Sequence, residues 1–179
     1  MENIIKMISF PLSSNIKLEK DLISSMTLKN ELKPENSSEY LAEGFAKDRM
    51  RIHNVAIDLG EGTVLGKLDL ERFYEPHYNG QPDVGFHLSA LTAYRFVNQL
   101  IVAYACRRLG KPKAELGEFF EISHQMRIAK PVAHPTDISA IVKCIKDIPR
   151  GDSIFGDFEF DIENGSFYGS IRGVVKQPQ

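Results

Sequence analysis

The run from Leu88 to Leu109, LSALTAYRFVNQLIVAYACRRL, limits the possible folds more than any other stretch of this chain. It has helical length, Gly110 supplies a stop, and Pro112 follows two residues later. Leu91, Tyr94, Phe96, Val97, Leu100, Ile101, Val102, Tyr104 and Ala105 leave almost no solvent-facing stripe in its middle. A helix apolar all round must be covered on all sides. Thr92, Arg95, Asn98 and Gln99 interrupt the run, which makes it a buried helix rather than a membrane span. At about 100° per residue these four fall within about a third of the helix circumference. An unpaired buried polar group costs about 1–3 kcal/mol, so the stripe requires protein partners or a polar substrate. For Arg95 and Gln99, backbone carbonyls of a covering sheet or of a partner subunit are the alternative to a substrate.

The flanking residues indicate what covers the helix. Residues 52–58 (IHNVAID) and 63–70 (TVLGKLDL) are β-rich and joined by Gly60-Glu61-Gly62, which reads as a hairpin. Residues 71–86 hold Pro76, Gly80, Pro82 and Gly85 and form a loop. After the helix, residues 118–129 (EFFEISHQMRIA) alternate, which places Phe120, Ile122, His124, Met126 and Ile128 on one face. Residues 136–146 form another strand, and 153–162 with 166–176 form a hairpin across Glu163-Asn164-Gly165. Hairpins without repeated βα units argue against a parallel sheet. The expected class is α+β: one antiparallel sheet, its last strands in a meander, wrapped around one long central helix. That architecture is the hotdog fold.

The expected division is an N-terminal extension over 1–50 and a hotdog domain over 51–179. The extension is rich in Ser, Asn, Lys and Glu from Ser13 to Glu39, with a short helix expected from Ser38 to about Arg49. No export signal is expected in its first residues: Glu2 stands where a signal peptide is basic, and Lys6 and Pro11 break the apolar run. A cytoplasmic protein is expected, with Cys106 and Cys144 as buried free thiols. A net charge of −2 gives the whole molecule no electrostatic case for nucleic acid or membrane. Two cysteines without a Cys/His cluster build no structural zinc site, and no metal is expected.

The segment GFHLSALTAYRFVNQLIVAYA (85–105) is similar to the central helix of the FcoT-like acyl thioesterase family. That helix opens with Gly-His-Phe-Asn and continues to Phe-Asn-Gln-Leu. His87 matches the family histidine, and Asn98-Gln99-Leu100 match the later triplet. RIAKPVAHPTDISAIVKC (127–144) resembles the family's Arg-x-x-Lys-Pro strand turn, and DIENGSFYGSIRG (161–173) resembles its last hairpin. The chain departs from the pattern at two places: Ser89 stands at the family's asparagine, and Gln81 at its loop tyrosine, with Tyr78 and Tyr74 nearby.

The resemblance implies an enzyme that hydrolyses fatty acyl thioesters of coenzyme A or an acyl carrier protein. No cofactor is implied beyond the CoA or phosphopantetheine that the substrate carries. A related activity is conjugate addition of glycine to a 2-enoyl-ACP thioester. A hotdog dehydratase uses an acid on the helix, and none lies between His87 and Leu109. A non-catalytic acyl-binding protein is the remaining alternative, permitted by Ser89.

The N–H groups of Leu88–Leu91 would polarise a thioester carbonyl if the helix starts near His87. His87 is a candidate base or orienting donor, or a helix-flanking histidine bonded to a carbonyl. Asn98, Ser89, Tyr78 and Asp83 complete the catalytic set, although an aspartate in such a loop also caps turns. Arg95, Gln99, Arg127 and Lys130 are candidate substrate contacts, with Arg127 or Lys130 equally readable as a solvated strand end. Arg107, Arg108, Lys111 and Lys113 would receive phosphates or an acidic carrier, as well as complement the helix dipole. One subunit leaves a sheet edge and a side of the helix open, so a homodimer or larger homo-oligomer is expected, with sites at the subunit interface.

Overall fold

The structure is a computed structural model that describes residues 49–72, 86–151 and 153–176. The loop tyrosine Tyr78 and Asp83 lie outside these residues, as does the expected N-terminal helix apart from Arg49, which opens the first strand. The strands are β1 (Arg49–Asp58), β2 (Thr63–Arg72), β3 (Phe119–Ile128), β4 (Ile138–Arg150), β5 (Ser153–Ile162) and β6 (Phe167–Val175). Helix α1 spans Ala90–Leu109, and a single turn, α2, spans Lys113–Leu116.

All pairings are antiparallel, in one six-stranded sheet of order β1-β2-β4-β5-β6-β3 around α1. This is a hotdog fold. The strands after the helix do not form the simple meander expected. Strand β3 pairs with β6 at the far edge, and the chain then crosses to β4 beside β2. The crossing segment is tied down by its backbone: Ala129 N–H donates to Ser166 O (2.8 Å), and Pro135 O accepts from Leu70 N–H (2.7 Å).

Helix α1 begins at Ala90 because Ser89 caps it. The Ser89 Oγ accepts from Thr92 N–H at 3.1 Å and donates to the Thr92 hydroxyl at 3.0 Å. Gly110 ends the helix in the left-handed region (φ 65°), where Lys111 N–H reaches Cys106 O at 3.1 Å. Thirteen of its residues, from Thr92 to Ala105 without Tyr94, are buried together with their polar members. The covering face of the sheet comes from strict alternation, best seen on β5, where Ile154, Phe158, Phe160 and Ile162 are buried and their neighbours are not. Gly66 lets β2 approach the helix closely, since a Cβ there would lie 2.7 Å from Leu100 Cδ2.

On β3 the expected single face fails. A register shift between Glu121 and Ser123 places Phe120 opposite Val174 but His124 opposite Ile171. Across an antiparallel ladder that change of parity puts Phe120 on the outer face and His124 on the helix side, where its ring meets Tyr94 at 5.2 Å. Phe120, Ile122 and Ile128 are 54 %, 58 % and 58 % exposed.

The β3–β6 contact is close enough to serve as a test of this packing. A Cβ on Gly169 would stand 1.8 Å from the backbone oxygen of Gln125. Gly169→Ala is therefore expected to lower unfolding stability by about 1–3 kcal/mol, measured by denaturant titration. An unchanged midpoint would contradict the arrangement of β3 beside β6.

Candidate functional site

The polar residues of α1 form a row at three- and four-residue steps, Thr92, Arg95, then Asn98 and Gln99, and all four are buried. Asn98 is 3 % exposed, and among the described residues its Oδ1 has no hydrogen-bond partner. A buried amide oxygen in that state is costly in a protein that has nothing to place there. It is suited to accept from a polar group of a ligand, and its amide N–H₂ can donate to a carbonyl.

The helix start has less free backbone than expected from a helix opening at His87. Leu88 N–H donates to Val132 O at 2.9 Å, and Thr92 N–H is taken by Ser89. Ala90 and Leu91 keep first-turn N–H groups at an exposed position. The expected donor set Leu88–Leu91 is thus reduced, because the first helical residue falls two positions later than a start near His87 required. The Leu88–Val132 bond ties the segment after β3 to the helix start, whereas Lys130 N–H donates to Ser166 O, and Arg127 and Lys130 are exposed.

These groups do not all meet. Half-buried His87 and Ser89 stand at the helix start, whereas Asn98 lies about 13 Å further along the axis than Ser89 at 1.5 Å per residue. Arg107 and Arg108 lie another 14–15 Å or so beyond Asn98, by the same rise. Of the four cations considered for phosphates, two hold internal carboxylates. Arg108 Nε donates to Asp147 Oδ2 (2.7 Å), and buried Lys113 Nζ to Glu118 Oε1 (3.0 Å). Arg107 is exposed.

One network was not foreseen. Tyr104 donates to Asp147 Oδ2 at 3.1 Å, sharing that oxygen with Arg108, and Cys144 adjoins the same hydroxyl. Burial, followed by Cys144 and Asp147, drives the Tyr104 hydroxyl well above its ordinary range, which keeps it a neutral donor. Asp147 follows the β4 bulge between Cys144 and Lys146, and strand alternation read without that bulge misplaces it. Both cysteines are free and half-buried rather than buried, and burial raises both thiols, Cys106 to about 11. Neither is poised as a thiolate nucleophile near neutral pH.

Ligand atoms of His53, Asp69 and Asp137 lie within 4.8 Å of one another. Both carboxylates already face a cation, Asp69 with Arg51 at 3.2 Å and Asp137 with Lys67 at 2.9 Å. The group is explained as an ion-pair network that ties β1 and β2 to the start of β4.

No protein-family model and no curated protein matches this sequence. Several solved structures are similar to it, each with a TM-score below 0.5. An uncharacterized protein from Pyrococcus horikoshii is 15 % identical with a TM-score of 0.48, over 81 % of this chain and 94 % of that one. The PaaI protein from the phenylacetic acid degradation operon of E. coli is 13 % identical with a TM-score of 0.45, over 80 % and 90 %. A thioesterase superfamily protein is 14 % identical with a TM-score of 0.41, over 72 % and 53 %. At these identities the likeness is one of fold alone. Among the described residues no helix is long and apolar enough to cross a membrane.

The orphaned amide oxygen gives a direct test. Asn98→Leu replaces a buried unsatisfied acceptor by an apolar side chain of similar size, so the unfolding free energy is expected to rise, by up to about 1–3 kcal/mol. A fall in the thermal midpoint would show that the Asn98 amide is paired in the folded protein.

Proposed function

We propose that this protein is a hotdog enzyme acting on fatty acyl thioesters, of the FcoT-like type, and that it hydrolyses acyl-CoA or acyl carrier protein conjugates. The observation that carries this reading is Asn98, buried in a polar row of the central helix with its Oδ1 unpartnered. A thioester needs its carbonyl polarised and a water or other nucleophile held beside it. An amide on a rigid helix serves either purpose, by donating to the carbonyl or accepting from the nucleophile. The free N–H groups of Ala90 and Leu91 offer a second polarising element at the helix start, with His87 beside them as base or orienting donor. In this reading Ser89 acts through the helix, as its cap.

A second reading, addition of glycine to a 2-enoyl thioester, is favoured by one feature. The segment after β3 reaches the helix start through Val132 O, which accepts from Leu88 N–H, and exposed Lys130 or Arg127 earlier on that segment would meet an amino-acid carboxylate. The two readings differ in product. Incubation with long-chain acyl-CoA is expected to release free thiol, and Asn98→Ala to reduce that release by at least about a hundredfold, a loss on the scale of one oxyanion donor. A mass gain of glycine on a 2-enoyl thioester, without thiol release, would select addition instead. Neither product would leave an acyl-binding protein.

The same reading includes a second copy of the chain. Edge strand β3 carries an exposed apolar set, Phe120, Ile122 and Ile128, along an unpaired backbone edge. A homodimer is expected by light scattering, and Ile128→Lys, which places a charge at an exposed position of that edge strand, is expected to yield monomer. A dimer indifferent to this change would exclude the β3 edge.

A further inference from the structure

Away from the helix, the outer face of the sheet carries an arrangement with no part in the site above. Cross-strand register lines up Ile148, Phe155, Val174 and Phe120 as one apolar row across β4, β5, β6 and β3. The next row is Lys146, Asp157 and Arg172. Arg150, two residues beyond Ile148 on the same strand, leans over the Phe155 ring at 5.5 Å. Between these rows lies a half-open groove of about 290 Å³, lined by Ile122, Ile148, Phe155 and the three cations together with Asp157.

The charges of the groove are unevenly matched. Asp157 is held by Arg172 through two bonds, at 2.5 Å and 3.2 Å, and that guanidinium keeps its carboxyl below the usual carboxylate range. Lys146 and Arg150 have no carboxylate partner among the described residues. The groove therefore carries a local excess of two positive charges in a chain whose net charge is −2. Unpaired cations on both sides of exposed Ile148 and Ile122 match a molecule with an anionic head and an apolar body. The volume is near the lower end for small-molecule sites, about 300 Å³, which fits a short chain or one ring rather than a long acyl group.

We propose that this outer groove is a second binding site, for a small amphipathic anion: a carboxylate or phosphate monoester bearing a short apolar chain or ring. The head lies against Arg150 or Lys146, the two cations without a carboxylate bond, and the apolar part covers Ile148, Phe155 and Ile122. The groove and the polar row of α1 are on opposite faces of the sheet, so the two sites load independently.

Octanoate is the probe, followed by amide chemical shifts of the full chain. Saturable shifts are expected at Lys146–Gly156 and at Arg172 and Gly173. The double variant Lys146→Glu/Arg150→Glu, altered only at exposed positions, is expected to weaken these shifts at least tenfold while any shifts around Asn98 persist. 1-Octanol and inorganic phosphate, each lacking half of the ligand, are expected to leave the groove resonances in place at the same concentration. Ile148→Ser, which keeps both cations, is expected to weaken octanoate several-fold. Octanoate shifts confined to α1, equal affinity in the double variant, or equal response to phosphate alone would overturn the proposal. Groove shifts that appear with protein concentration instead of octanoate would assign the surface to contact between copies and overturn it as well.

Discussion

Everything in this fold depends on enclosing one helix whose middle offers water nothing. Helix α1 buries apolar side chains around most of its circumference, and a single curved sheet supplies most of the cover. The enclosure explains the alternation on β5, the close approach at Gly66, and the tight crossing from β3 to β4 that closes over the helix start. It also sets the chemistry. Polar side chains carried into such an interior lose their hydration, so each must find a partner or be retained for a ligand. For the Asn98 side-chain oxygen no partner is present among the described residues.

The helix keeps its functions apart by length. Its start presents Ser89, His87 and two free N–H groups, its middle presents the buried polar row, and its end carries basic residues. Twenty residues extend about 30 Å, so no compact substrate group touches both ends. At the C-terminal end, Arg108 and Lys113 are engaged by Asp147 and Glu118, so they strengthen the helix terminus and its junction with β4 more than they add to a free cationic surface.

The sheet has two unlike faces. The helix side is largely apolar apart from His124 and Asp147, while the outer side mixes an apolar row with charged rows, brought into line by cross-strand register. The bulge in β3 decides what each side receives, because it returns His124 to the helix side and leaves Phe120 and Ile122 outside. Bulges at strand edges redirect side chains in this way at the cost of one unpaired residue. The exposed apolar residues of this strand are consequently split between an edge and a face.

The sequence by itself determined the element types, the buried helix with its polar row, and the turns. Local signals suffice for these: a 3.6-residue period, Gly110 at a helix end, and glycine- or asparagine-bearing loops between β-rich runs. Asn98 was legible for the same reason, since an asparagine on an all-apolar helix must be buried. The tertiary structure decided what depends on residues distant in the chain. Strand β3 went to the far edge instead of into a meander, because β6 offers it a partner that sequence order does not reveal. The β3 and β4 bulges, the Tyr104–Asp147–Arg108 network and the outer groove follow from cross-strand register, and alternation cannot signal one inserted residue. The helix start was read two residues early, because the Ser89 cap is settled by backbone geometry that a serine alone only permits.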